Sequence, residues 1–263
     1  MSLRRIPERV AVPAMEAVSW QLVTRSPSFA ANFLHVWRFQ LNGDSSPEAH
    51  RRSILSSEEL ARASRFHFSV HANRFITSRL ALRTILGAYL GIFPRDVAFE
   101  HTEYGKPFLA AALNPLAFSF NLSHSQDLAV FAISLHKDLG IDVEAIREDF
   151  GGEEVAESHF APAEFRELLS LPEAKRPQAF FNCWTRKEAY VKALGAGLQI
   201  PLGSFEVSIR PGQPVEFLRG AGTAWRLLSF SPAPGFQGAV AYEGVPADAQ
   251  FFDAAVLLKE LND

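Results

Sequence analysis

Apolar and polar positions alternate over residues 34–41 (LHVWRFQL), a period-2 pattern that predicts a strand. A helical pattern follows over residues 57–90. Ser56 or Ser57 can cap its start, glutamates in the first turn suit the helix dipole, and Leu80, Leu82, Ile85, Leu86 and Leu90 keep one apolar face. After Pro94 the texture changes to short extended pieces at 97–101, 117–121 and 129–135, separated by turn signals at 104–107 (YGKP) and Asn114-Pro115. A strand over 140–146 (GIDVEAI) comes next. A second helical region covers 162–171 and 178–194 and is ended by Gly195 and Gly197. Strand-like pieces return at 205–209, 215–218, 225–231 and 238–242. A helix followed by antiparallel strands thus occurs twice. The order predicts an α+β fold of two similar lobes, 33–136 and 137–263, behind an N-terminal extension, 1–32, with Pro7, Pro13 and Pro27.

Composition narrows the class. The 263 residues are 48% hydrophobic and 21% charged, as expected of a globular protein with a real core. The 23 phenylalanines point to aromatic packing and an apolar docking face. A net charge of -3 gives no global nucleic-acid signature, so anion binding must be local. The lone Cys183 excludes an internal disulfide and a multi-cysteine metal site, and beside Trp184 it reads as a small buried filler. No window approaches a membrane span, and the start lacks a signal-peptide core, so the expected location is the cytoplasm.

Four segments carry candidate chemistry. Asp142 and Glu144, at i and i+2 in a strand, project from one face while Ile141 and Val143 turn into a core. Side-by-side carboxylates raise each other's pKa unless a cation sits between them, and an all-oxygen pair suits Mg²⁺. An exposed strand face is the alternative. In WTRKEAYVK, 184–192, Glu188 and Lys192 are helical i,i+4 neighbours: a surface ion pair, or a third carboxylate with a cation for a phosphate oxygen. In FNLSHS, 120–125, a strand runs into a polar turn where Ser123 and His124 can donate to a phosphate; no G-x-S-x-G supports a nucleophilic serine. Arg62, Arg65, Arg74, Arg79 and Arg83 on the first helix and Lys106 in its turn complete a scattered basic set, half of it expected to be solvated helix face. No Walker-type loop is present.

Together these segments resemble the Sfp-type 4'-phosphopantetheinyl transferases, from about residue 33 onward. The matching text is YGKP (104–107), FNLSHS (120–125), GIDVE (140–144), WTRKEAYVK (184–192) and LGAGL (194–198). The resemblance implies two pseudo-twofold-related lobes, each a long helix packed on a small, mainly antiparallel sheet, with coenzyme A in the cleft between them. It implies transfer of phosphopantetheine from coenzyme A to a serine of an apo acyl, peptidyl or polyketide carrier protein, releasing 3',5'-ADP, by a monomer. Asp142, Glu144 and Glu188 match the family's Mg²⁺ carboxylates, Glu188 also the base. Lys192 matches the lysine at the pyrophosphate. Ser123, His124, Arg62 and Arg74 match the 3'-phosphate group, and Tyr104, Gly105, Lys106 and Pro107 the turn along the adenine. Glu59 stands where relatives carry a lysine. The alternative is a non-catalytic paralogue that binds coenzyme A or a carrier without turnover. The apolar and basic residues Phe180, Phe181, Arg186 and Lys187 are the expected carrier-docking patch.

Overall fold

The computed structural model describes residues 18–42, 48–135, 138–147, 152–195, 197–245 and 247–259. The expected join at 136/137 lies outside the described residues, as does Ala196 of the LGAGL segment. Strands are β1 (Gln21–Leu22), β2 (Phe33–Gln40), β3 (Phe99–His101), β4 (Pro107–Leu109), β5 (Ser119–Ser125), β6 (Leu128–Ser134), β7 (Leu139–Ala145), β8 (Glu206–Val207), β9 (Phe217–Arg219), β10 (Trp225–Phe230), β11 (Phe236–Glu243) and β12 (Asp248–Asp253). Helices are α1 (Glu48–Ile54), α2 (Ser57–Ala63), α3 (Ser69–Leu90), α4 (Gly152–His159), α5 (Pro162–Ser170), α6 (Arg176–Leu194) and α7 (Ala255–Lys259).

Two sheets lie back to back between two long helices. The first sheet has the order β1-β12-β2-β6-β5 and the second β10-β11-β7, antiparallel throughout. Strand alternation sorts the cores. Phe33, Trp37 and Phe39 of β2 turn toward Ala81, Ile85 and Leu86 of α3. Leu34 and Val36 turn the other way, against Ile141, Val143 and Val240 of the second sheet. Ala239 and Ala241 then face α6. The result is helix, sheet, sheet, helix: an α+β fold of two lobes, as the repeated order of elements predicts.

Three features depart from the expected element map. The first helix is two, because the chain breaks between Ala63 and Ser69. Ser56 caps α2 in a full capping box with Glu59. The last strand, β12, returns from the second lobe and pairs in parallel with β2, so residues 248–253 complete the first lobe's sheet. That crossing cuts across a division at 136/137, and the extension contributes β1 to the same edge.

The helix termini follow the sequence signals. Gly91 and Gly195 both sit at φ 67° and close α3 and α6 in the left-handed conformation. Gly140 has a different reason. A Cβ there would collide with the Ala189 carbonyl oxygen and the Ala193 backbone nitrogen, so only glycine lets α6 pack directly on β7.

His35 is fully enclosed in the first-lobe core. Trp37 Nε1 donates to the Tyr89 hydroxyl at 3.2 Å, which leaves that hydroxyl to donate to His35 Nδ1 at 2.6 Å. Burial pulls the His35 pKa down from 6.5 to about 4, opposed by Asp248. The folded state therefore holds His35 neutral where the unfolded chain takes up a proton. Stability is intact above pH 6.5 and falls by about 3 kcal/mol as pH drops from 6.5 through 4. Urea unfolding of wild type and His35→Phe across that range should show the wild-type slope flattened in the variant. Equal slopes would contradict the assignment.

Candidate functional site

The site lies at the seam where β5 of the first lobe runs beside β7 of the second. No backbone ladder joins these two strands among the described residues; side chains of β5 make the connection. Asn121 Oδ1 accepts from Ile141 N at 2.9 Å, and Ser125 Oγ accepts from Ala145 N at 3.1 Å. Ser123 Oγ donates to Asp142 Oδ1 at 2.9 Å, and Ser125 Oγ to Glu144 Oε2 at 2.8 Å. This works because the strand continues through Ser125 instead of turning at Ser123, so Asn121, Ser123 and Ser125 share one face. The expected polar turn starts later, at Gln126, whose φ is 54°.

Asp142 and Glu144 project toward α6, opposite Ile141 and Val143, as the i,i+2 spacing predicts. Asp142 is 2% exposed and Glu144 half-buried. Helix α6, brought close by Gly140, adds half-buried Glu188 and Lys192. Lys192 Nζ lies 2.6 Å from Asp142 Oδ1 and 2.9 Å from Ser123 Oγ. The second oxygen of Asp142, Oδ2, is buried with no hydrogen-bond partner. Burial, then the charge of Asp142, raises the pKa of both Glu144 and Glu188, with Lys192 opposing. Among the described residues the carboxylates do not close into a three-ligand metal group. The Lys192 ammonium compensates Asp142.

The remaining expected residues divide. Tyr104, Gly105, Lys106 and Pro107 line a cleft of about 260 Å³ with Asn121, Glu188 and Lys192, so the turn shares a cavity with the α6 end of the cluster. Gly105 at φ 80° makes the turn, and Tyr104 packs beside Gly197. The Lys106 ammonium, however, is spent on the carbonyls of Leu139, Lys192 and Ala193, where it ties the two lobes together. His124 is exposed, its pKa lowered by partial desolvation and by the cations Lys192 and Arg74. Arg74 pairs with Asp127 at 2.8 Å. Arg62 is exposed and sits over the Phe75 ring, away from the residues lining the cleft. Arg79 and Arg83 are consumed by Glu59, at 3.0 and 2.8 Å, so the residue that departs from the family is the hub of a buried ion-pair network. A cavity of about 510 Å³ lies elsewhere, between α3 and α7, and none of the expected site residues lines it.

The docking patch expected on α6 is overturned. Phe180, Phe181 and Arg186 are each 3% exposed and Lys187 is 0% exposed, paired at 2.8 Å with Glu164. Twelve of the nineteen residues of α6 are buried, because the helix is enclosed by the second sheet and by α4 and α5. Cys183 is a buried thiol on the same helix, as expected of a filler.

Two family models cover most of the described chain. Residues 138–241 match the 4'-phosphopantetheinyl transferase superfamily, and residues 46–136 match the model 4'-phosphopantetheinyl transferase, N-terminal. The 4'-phosphopantetheinyl transferase HetI of a Nostoc species is 39% identical over 219 residues, which are 83% of this chain and 91% of that one. The chain belongs to the 4'-phosphopantetheinyl transferase superfamily. The transferase psf-1 of Bacillus pumilus is 31% identical over 191 residues, 72% of this chain and 79% of its own. Sfp of Bacillus subtilis is 27% identical over 199 residues, 74% and 86%. Among solved structures, holo-[acyl-carrier-protein] synthase of Thermotoga maritima matches 42% of this chain and 66% of its own at 24% identity and a TM-score of 0.33. The activity of this transferase is the coenzyme A-dependent transfer of phosphopantetheine to carrier proteins.

Ser125 is the site residue the motif reading passed over. The polar alternation Asn121, Ser123, Ser125 was its signal. Ser125→Ala removes a donor to Glu144 and an acceptor for Ala145 N while leaving the carboxylates in place. If Glu144 is a metal ligand, transfer should fall about 10- to 100-fold, the usual cost of losing a group that orients such a carboxylate, and added Mg²⁺ should restore part of it. Unchanged rate and Mg²⁺ dependence would make Ser125 a purely structural link.

Proposed function

We propose that the acidic cluster at the β5–β7 seam is the transfer site, with Asp142, Glu144 and Glu188 around a Mg²⁺ ion. The observation that carries this reading is Asp142 Oδ2, a buried carboxylate oxygen with no partner, beside two carboxyls whose pKa values it raises. A hard cation with oxygen ligands answers all three: it fills the orphan, relieves the repulsion and accepts further oxygens. When bound, Mg²⁺ supplies charge neutralisation for a pyrophosphate.

The chain's own residues do the rest. Lys192, placed between Ser123 and Asp142, meets a pyrophosphate oxygen of coenzyme A at the same cavity. The turn of Tyr104, Gly105, Lys106 and Pro107 lies along the adenine end, with Lys106 acting as a strut rather than a ligand. His124 and Arg74 supply positive charge for the 3'-phosphate, and a bound dianion would raise the depressed His124 pKa. Arg62 has no observed link to the cleft and joins them only through side-chain movement. Glu188, whose pKa is raised by burial and by the charge of Asp142, takes the proton of the carrier serine. The serine oxygen then bonds to the pantetheine-side phosphorus, and the phosphorus–oxygen bond to 3',5'-ADP breaks. Positioning and charge neutralisation suffice for such a transfer.

Both walls of the cleft come from one chain, which supports action as a monomer. Among the described residues no helix is long and apolar enough to cross a membrane. Mass spectrometry of an apo carrier protein incubated with coenzyme A and this protein tests the metal role. The carrier should gain one phosphopantetheine with Mg²⁺ and none with EDTA; equal gain with EDTA would overturn it.

A further inference from the structure

Helix α6 carries a second polar stripe, Gln178, Asn182 and Arg186, at four-residue spacing. Glu188, two residues past Arg186, points roughly 200° further round the helix, so the stripe faces away from the cleft. It lines a separate cavity of about 340 Å³ whose other wall includes Ser229, Phe236 and Gln237.

Arg186 is 3% exposed. Its Nε–H donates to Ser229 Oγ at 2.9 Å, and its Nη1 donates to the carbonyl and hydroxyl of Ser208. All of these acceptors are neutral. Three other enclosed cations have carboxylates: Arg79 and Arg83 pair with Glu59, and Lys187 with Glu164. For Arg186 no carboxylate lies in reach among the described residues, and burial pulls its pKa down to about 10. A buried guanidinium without a counter-ion is costly unless something in the cavity compensates it.

The donor and acceptor count points the same way. Arg186 Nη2 has no acceptor among the described residues, and the Ser229 hydroxyl, having received the Nε–H, has no acceptor for its own hydrogen. Two of the amide oxygens nearby already accept a hydrogen bond: Gln178 Nε2 donates to Asn182 Oδ1 at 3.0 Å and to Gln237 Oε1 at 2.8 Å. At Arg186 and Ser229 the wall therefore presents donors and positive charge toward the cavity.

We propose that this cavity binds a small oxyanion, a carboxylate or phosphate group, through Arg186 Nη2 and the Ser229 hydroxyl. It is a second anion site, separate from the coenzyme A cleft on the other side of α6. The remaining volume leaves room for a small organic acid to carry that group.

Because phosphate can also enter the cleft, the test keeps coenzyme A saturating. Acetate and inorganic phosphate are titrated against protein labelled with ¹⁵N in its arginine side chains, with sodium chloride matching ionic strength. The Arg186 guanidinium resonance, assigned by its absence in Arg186→Lys, should shift saturably with acetate, phosphate or both. The melting temperature should rise in parallel. Ser229→Ala should weaken that response at least about tenfold, the loss of one charge-assisted hydrogen bond. If Arg186→Lys fails to fold, the wild-type titration and Ser229→Ala still decide the matter. No saturable shift with either anion, or an unchanged response in Ser229→Ala, overturns the proposal.

Discussion

Asp142→Ala should reduce transfer by about 10³-fold or more while leaving the protein folded. Asp142 holds one oxygen on Ser123 and Lys192 and leaves the other without a partner. The substitution removes the anchor of the proposed cation site and frees Lys192 from its carboxylate. The side chain is small and Gly140 already sets the approach of α6, so its loss should leave the packing of α6 on β7 in place. Circular dichroism should match wild type while the steady-state rate collapses. A rate within tenfold of wild type at ordinary Mg²⁺ would remove Asp142 from the site.

Glu188→Gln should separate chemistry from binding. The amide keeps size and hydrogen bonding but takes no proton and carries no charge, so kcat should fall by about 10²–10⁴-fold, the usual value of a general base. Coenzyme A binding, measured by calorimetry, should change much less, because Lys192 and the turn remain. The pKa direction gives a second readout. Burial and Asp142 raise the Glu188 carboxyl, so whatever stability its protonated form lends is present at low pH and lost as pH rises through that raised value. At neutral pH without Mg²⁺, the charged form is strained, and Glu188→Gln should melt no lower than wild type. Equal losses in binding and rate would make Glu188 a ligand-holding residue only.

Much of this was legible in the chain. Alternation placed Ile141 and Val143 in the core and sent Asp142 and Glu144 to the other face, and Gly195 ended α6 where expected. The two-lobe order was readable because each lobe repeats a helix and antiparallel strands. The misses among charged residues share a physical cause, burial. Arg186 and Lys187 look like a solvated rim, yet α6 is enclosed, and Glu164 sits 43 residues before its backbone partner Val207 and far from Lys187 in sequence. Glu59 looked like a lost phosphate contact and is instead the neutraliser of Arg79 and Arg83. Strand β12 was missed because its pairing with β2 spans nearly the whole chain, a contact no local pattern announces.

The central claim is that the carboxylates of β7 and α6 form a divalent-cation site at the coenzyme A cleft. Calorimetric titration of Mg²⁺ into the coenzyme A-loaded protein at neutral pH tests it most directly. The account predicts saturable binding to wild type that is lost in Asp142→Ala. The same binding curve in the variant, or none in wild type, would contradict it.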